Sequence, residues 1–297
     1  MEPNSPAPPL KTTRVFLAQT APALGDVNRN IEEHLTILEN AKKDGAGLVV
    51  FPELSLTGYF LHDLADEVAM APDDARLRRV LDATKTRKGA EPLAAVVGFV
   101  ERTRDHRLYN SAAFIENGNI VHIHRKVYLP TYGIFDDGRY LAAGSGFFAF
   151  DASFGRIGIL ICEDAWHLAS SYLLFLQNVD LLICVSSSPG RGITERGDVS
   201  ASRSWDAVLE AVSNLFQTYC VYCNRSGVED GITFFGGSRV FDPFGTVIAK
   251  IDGLDTGSIV TEIDGGALRR ARLFAPMRRD EKPELVLRQL QKIVEQP

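Results

Sequence analysis

Residues 156–166 read RIGILICEDAW, an apolar run that stops at a cysteine followed by two acids. Ile157, Ile159, Leu160 and Ile161 are branched and preceded by glycine, the pattern of a strand covered on both faces. The continuation AWHLASSYLLFLQN changes to helical spacing, with Leu168, Tyr172 and Leu176 on one face. Cys162 is therefore expected at a strand-to-helix junction. There the free N–H groups of a helix start favour an anion, and the ordinary cysteine pKa of about 8.5 is expected to fall. The same residue also fits a small buried hydrophobe that ends a strand, so its neighbours in space must separate a nucleophile from that plainer reading.

Working outward, RVFLAQT at 14–20 reads as a strand and 28–43 as a helix, with Ile31, Leu35, Leu38 and Ala41 on one side and Asn28 or Asn30 as its cap. Gly45 and Gly47 end that helix and LVVF follows as a second buried strand, which completes a β-α-β unit. A helix is predicted over 74–86 and a strand over 94–100. YNSAAFIE, the turn Asn117-Gly118-Asn119 and IVHIHRKVYL make a hairpin. Further strands are predicted at 146–150, 157–162, 180–186, 219–224, 238–242, 246–251 and 258–263, and helices at 165–177, 202–217 and 284–295. This alternation predicts an α/β protein of mixed sheets with helices on their outer faces. Residues 1–12 read as a disordered proline-rich tail, 13–266 as one domain, and 267–297 as an arginine-rich tail with an amphipathic helix suited to a subunit interface.

The 297 residues are 45% hydrophobic and 24% charged, the composition of a globular protein with a large core. The net charge of −6 is spread along the chain, so no basic stripe suits nucleic acid and no polybasic run suits an anionic membrane. A small molecule is the expected ligand. No apolar run approaches the roughly 18 residues of a membrane span, and MEPNSPAPPL lacks a signal core, so a cytoplasmic location is expected. Four cysteines at 162, 184, 220 and 223 do not make a disulfide framework for this size. Cys220 and Cys223 form a CxxC suited to zinc or a redox disulfide. They lie on a predicted strand, however, where residues three apart face opposite sides, and no second ligand pair is near. No metal and no organic cofactor are expected.

Three polar residues share the property of ending an apolar strand: Glu53 in LVVFPELSLTGY, Lys126 in IVHIHRKVYLP and Cys162 in ILICEDAW. Ligand sites of open α/β sheets gather at such strand ends. A solvated acid, an exposed lysine and a packing cysteine would each be ordinary alone, but together they are a base, an oxyanion partner and a nucleophile. The segments FPELSLTGY, HRKVYLP and ICEDAW resemble, in order and spacing, the three signature motifs of the nitrilase superfamily of carbon–nitrogen hydrolases. The resemblance runs from RVFLAQTAPALGDVNRN through YNSAAFIENGNIV to SRVFDPFGTVIAKI and leaves out only the two tails.

That resemblance implies a four-layer α-β-β-α sandwich of two mixed sheets, dimerising through helices as a homodimer or higher homo-oligomer. It also implies a Glu53–Lys126–Cys162 triad, with the backbone N–H of Glu163 helping Lys126. Family members commonly carry a second glutamate after the lysine motif, whereas YGIFDDGRYLAAG offers Asp136 and Asp137; Asp137, one methylene shorter, is the candidate. Tyr59 and Tyr132 match positions that line the acyl pocket. Trp166, one helical turn past the cysteine, and Ser187, within the run Ser186–Ser188, are further candidates for contacts to substrate. Arg191 is a candidate partner for a carboxylate.

The CED sequence resembles the amidase branches, since true nitrilases usually follow the cysteine with tryptophan and glutamate. FPELSLTGYFLHDL and LPTYGIFDDGRY most resemble the glutaminase domain of glutamine-dependent NAD synthetases. With no glycine-rich loop of Walker spacing, the expectation is a stand-alone amidase that releases ammonia from a small carboxamide or N-carbamoyl compound through a Cys162 thioester. The alternatives are a nitrilase, or a glutaminase partner that feeds ammonia to another enzyme. From other classes come a non-catalytic interaction protein on the same scaffold, which an intact triad disfavours, and a redox protein built on Cys220 and Cys223.

Overall fold

The computed structural model describes residues 9–86, 92–190 and 200–295. The first half runs β1 (Thr13–Gln19), α1 (Val27–Lys43), β2 (Leu48–Val50), α2 (Ala65–Val68), α3 (Ala75–Ala83), β3 (Ala94–Arg102), β4 (Leu108–Glu116) and β5 (Asn119–Arg125). Next come α4 (Asp137–Tyr140), β6 (Phe150–Ala152), β7 (Gly155–Ile161), α5 (Leu168–Leu176), β8 (Leu181–Ser186), α6 (Ser200–Phe216) and β9 (Tyr219–Asn224). The chain continues through β10 (Ser226–Glu229), β11 (Ile232–Phe235), β12 (Arg239–Phe241), β13 (Val247–Lys250) and β14 (Gly257–Ile263). It closes with α7 (Gly265–Phe274), α8 (Met277–Asp280) and α9 (Pro283–Val294).

Two six-stranded mixed sheets result, in the orders β14-β1-β2-β3-β4-β5 and β13-β12-β9-β8-β7-β6. Each has three parallel strands at its centre: Val15 pairs with Leu48 and Leu48 with Ala94 in one, Ile157 with Leu181 and Leu181 with Tyr219 in the other. The period-2 alternation of strands sorts their residues between two cores. Leu17, Val50, Val96 and Phe114 belong to the core shared with Ile159 and Ile161 of the second sheet. Phe16, Val49, Val97 and Ile115 belong to the core that holds Ile31 and Leu38 of α1 and Leu77 and Val80 of α3. Leu174 of α5 and Trp205, Leu209 and Val212 of α6 cover the second sheet. Each such side chain contributes roughly 1.5–3 kcal/mol relative to exposure. Helices over both outer faces and apolar layers on both sides of each sheet give the α-β-β-α sandwich, and explain why the strands read as continuous apolar runs.

Several local expectations change. Asp26, not Asn28 or Asn30, caps α1 by accepting from Arg29 N; Asn30 is buried and instead bonds Ala23 and Leu56. The strand expected at 146–150 begins only at Phe150. Cys162 lies outside β7 and opens a short 3₁₀ turn, Cys162–Trp166, so that α5 starts six residues later. The ribbon β10–β11 and helix α7 were not anticipated, because charges and glycines interrupt the first and arginines crowd the second. Residues 1–8 of the expected disordered tail lie outside the described residues. Residues 9–12 are seated instead: Leu10 is buried and Lys11 N donates to Phe154 O. In the C-terminal stretch α7 buries Leu268 and Ala271, whereas α9 leaves Leu285, Leu287 and Leu290 exposed. Among the described residues no helix is long and apolar enough to cross a membrane.

A buried histidine ties α1 to the loop beyond β2. His34 stacks on Phe51 and bonds Ser55 Oγ at 2.9 Å and Asn30 O at 2.7 Å. Burial lowers its pKa from 6.5 to about 4. The folded form thus resists protonation that the unfolded chain accepts. This contribution to stability is complete above about pH 6.5 and is lost as pH falls toward 4, about 3 kcal/mol in all. Thermal midpoints of the wild type and His34→Gln measured between pH 7 and pH 4 are expected to converge as pH falls. A constant gap would contradict it.

Candidate active site

Four strand ends converge: Glu53 follows β2, Lys126 follows β5, Cys162 follows β7 and Ser187 follows β8. Beyond β2, the turn at Pro52–Leu54 places Leu54 in the left-handed region, with φ of 48°. The turn lies directly on β3 at Gly98, where a Cβ would stand 2.4 Å from Leu54 N and 2.7 Å from Pro52 O. Only glycine permits that approach. Glu53 is consequently buried between the sheets. Its Oε1 accepts from Lys126 Nζ at 2.8 Å and Asn110 Nδ2 at 2.8 Å, and its Oε2 from Ser187 N at 2.6 Å.

Lys126 is fully buried, and its Nζ donates to Asp137 Oδ2 at 2.8 Å as well as to Glu53. Asp137 opens α4, its N–H donating to Pro130 O, and its Oδ1 accepts from Tyr59 Oη at 2.7 Å. Burial alone would lower the Lys126 pKa; the Asp137 and Glu53 carboxylates outweigh it and hold the ammonium well above the usual lysine range. Glu53 moves up: burial raises it and Asp137 adds to the rise, while Lys126 and the Asn110 hydrogen bond oppose.

Cys162 takes φ of 46°, a strained backbone for a residue with a Cβ. Asp164, fully buried two residues on, holds that turn. Its Oδ2 accepts from Ile161 N at 3.1 Å and bonds His124 Nε2 at 2.9 Å, while its Oδ1 accepts from Val127 N and Tyr128 N, both at 3.0 Å. One carboxylate therefore clamps the cysteine turn to the segment that carries Lys126. The expected fall of the thiol pKa is overturned: burial pushes it up and Glu53 adds to this, against Lys126. The helix start that would have stabilised a thiolate is displaced to Leu168. At rest the group is a neutral thiol, within reach of the charges of Glu53 and Lys126.

The remaining candidates separate. Ser187 is fully buried and engaged with Glu53, its Oγ donating to Glu53 O at 3.0 Å. Tyr59 is buried with its hydroxyl on Asp137, and Tyr59 and Asp137 also line a cavity with Phe60, Ile134 and Tyr140. Tyr132 and Trp166 are exposed. Tyr132 Oη donates to Glu163 Oε2 at 2.9 Å, and Trp166 packs edge-on against Trp205 at 5.0 Å. Arg191 lies outside the described residues. Cys220 and Cys223 are free and reach opposite sides of β9, Cys223 Sγ donating to Val50 O of the first sheet. Among the described residues no cluster of His, Cys, Asp or Glu suits a metal ion. Asn110 and Asp164 were missed. Asn110 was legible as a polar residue inside the apolar run YNSAAF, and Asp164 as an acid following Cys162 whose partners are remote in sequence.

Residues 14–273 match the family model described as carbon–nitrogen hydrolase. A glutamine-dependent NAD(+) synthetase of Thermotoga maritima is 31% identical over 280 residues, 93% of this chain and 46% of that protein. A probable nitrilase of Schizosaccharomyces pombe is 27% identical over 256 residues, 84% of this chain and 88% of that protein. In three dimensions, a carbon–nitrogen hydrolase from Helicobacter pylori covers 92% of this chain and 96% of its own with a TM-score of 0.79 at 23% identity. The chain spans about half the length of the curated synthetases it matches.

Proposed function

Because the chain belongs to the carbon–nitrogen hydrolase family, we propose that it cleaves the C–N bond of a small carboxamide or N-carbamoyl compound through a thioester on Cys162, releasing ammonia. The observation that carries this reading is the buried contact of Lys126 with Glu53 beside the cysteine turn. A lysine ammonium has three donors and a carboxylate about four acceptor positions. Glu53 and Asp137 take two of the donors, which leaves one for an oxyanion. Lys126, Asn110 and Ser187 N fill three acceptor positions of Glu53, which leaves one, on Oε2, for a proton.

The steps follow from these open positions. Glu53 takes the Cys162 proton as sulfur attacks the carbonyl carbon, and the oxyanion forms against Lys126 and the Glu163 N–H. Collapse breaks the C–N bond, Glu53 returns its proton to the departing nitrogen, and ammonia leaves a thioester. Glu53 then accepts a proton from water, which attacks the thioester; the acid departs and the thiol is restored. A raised Glu53 pKa suits a group that must hold a proton in alternate steps.

Ammonia release from primary amides, N-carbamoyl amino acids, glutamine and nitriles tests the reading. The wild type is expected to turn over at least one amide, and Cys162→Ala to lose about 10³-fold or more of that rate. Full activity in the variant would sink the thiol mechanism, and preference for nitriles would sink the amide assignment. A second reading, glutamine as the amide, has specific support: the Glu163 carboxylate, steadied by Tyr132, suits an α-ammonium group, and the similar curated proteins include glutamine-dependent enzymes. Preference for glutamine over its des-amino analogue would favour it.

A further inference from the structure

We propose that Tyr59 is a positioning residue that acts on Lys126 through Asp137, and that Glu229 of the β10–β11 ribbon holds Tyr59 in place for that role. The inference rests on Lys126 as the oxyanion partner. Tyr59 begins from an unusual backbone. Gly58 has φ of 80°, and a Cβ there would lie 2.8 Å from Leu24 Cα and 2.9 Å from Glu229 Oε2. Only glycine lets this loop descend onto the Glu229 carboxylate. Glu229 Oε1 then accepts from Tyr59 N and Phe60 N, both at 2.8 Å, and Oε2 from Arg225 Nη1 at 2.5 Å.

Glu229 and Arg225 are both buried. A buried ion pair seldom adds stability over apolar packing, so its presence calls for another reason. The ribbon supplies a second contact to the same loop: Phe234 of β11 packs against Tyr59 at 6.4 Å and Phe60 at 6.1 Å, under the Arg225 guanidinium at 4.2 Å. The loop is thus fixed by two backbone hydrogen bonds and by a ring.

The far end of Tyr59 shows what is being held. Its hydroxyl donates to Asp137 Oδ1, which leaves Oδ2 for Lys126 Nζ at 2.8 Å. Asp137 is one methylene shorter than the glutamate that the family resemblance leads one to expect, and turning its carboxylate would release Lys126. The Tyr59 hydroxyl opposes that turn. Burial keeps the phenol protonated, hence a donor.

Steady-state kinetics of the full chain on an amide that the wild type hydrolyses tests this with a double-mutant cycle. Tyr59→Phe keeps the ring and is expected to lower kcat about 10- to 100-fold with KM within about twofold. Glu229→Gln should lower kcat comparably, and the double variant should fall no more than about twofold below Tyr59→Phe, since both act through one hydroxyl. A raised KM with unchanged kcat in Tyr59→Phe would make Tyr59 a substrate contact and overturn the proposal, as would effects that multiply in the double variant. Should Glu229→Gln not fold, Phe234→Leu takes its place in the cycle with the same two outcomes. Equal rates for the wild type and Cys162→Ala would instead mark failure of the thiol mechanism itself.

Discussion

Replacing Lys126 by methionine is expected to lower kcat by about 10²- to 10³-fold, the usual loss for one oxyanion donor, and to destabilise the fold as well. The methionine fills most of the volume but brings no charge. Glu53 and Asp137 each lie 2.8 Å from the ammonium and are buried; without it they are two carboxylates facing each other. Removing one partner of a buried pair typically costs about 3–5 kcal/mol, which for a chain of this length lowers the thermal midpoint by roughly 10 °C. The pH dependence has a definite sign. Burial and Asp137 already raise the Glu53 pKa against Lys126, and the variant removes that opposition. A carboxylate with a raised folded pKa favours the fold while protonated and loses that advantage as pH rises through the folded value. The deficit of Lys126→Met relative to wild type should therefore shrink in acid and grow toward neutrality. Midpoints and kcat measured between pH 5 and pH 8 check both parts; a variant as stable and as active as wild type would refute the role of Lys126.

Glu53→Gln is expected to lower kcat/KM by about 10²- to 10⁴-fold, the range for a positioned general base, with a smaller loss of stability because Lys126 keeps Asp137. An amide cannot take the thiol proton. Its oxygen can face Lys126 and Asn110 or the Ser187 N–H, but not both, since the amide nitrogen would meet a donor. In the wild type the rate should rise with pH as Glu53 ionises, and this acid limb should lie above the ordinary glutamate value of about 4.3, because burial raises the group. The residual rate of Glu53→Gln should lack that limb. An unchanged limb would assign the base elsewhere.

Both predictions concern residues legible in the sequence, each a polar ending to an apolar strand. What was not legible is how they are charged and held. The thiol of Cys162 was expected to ionise easily at a helix start, but its turn is a 3₁₀ one and its surroundings are buried, so the pKa moves up. Ser187 and Tyr59, candidates for contacts to substrate, also bond Glu53 and Asp137, contacts that no local pattern reveals. Glu229 lies in SGVEDGITFF, where charge and glycine hide a ribbon; nothing local links it to Tyr59, which is 170 residues away in the chain.

The sequence by itself determined the α/β class, most of the strands apart from the β10–β11 ribbon, and the three strand-end residues, because periodicity and chain punctuation are local properties that survive without a partner. The tertiary structure alone decided which polar atoms meet. Glu53 is set by Asn110 of β4 and Ser187 beyond β8, Lys126 by Asp137, and the Cys162 turn by Asp164 reaching back to Val127 and Tyr128. These partners come from a strand, strand ends, a turn and a helix that are remote in the chain, and burial sets the strength of each charge they share. Neither the pairing nor the burial exists before the sheets pack.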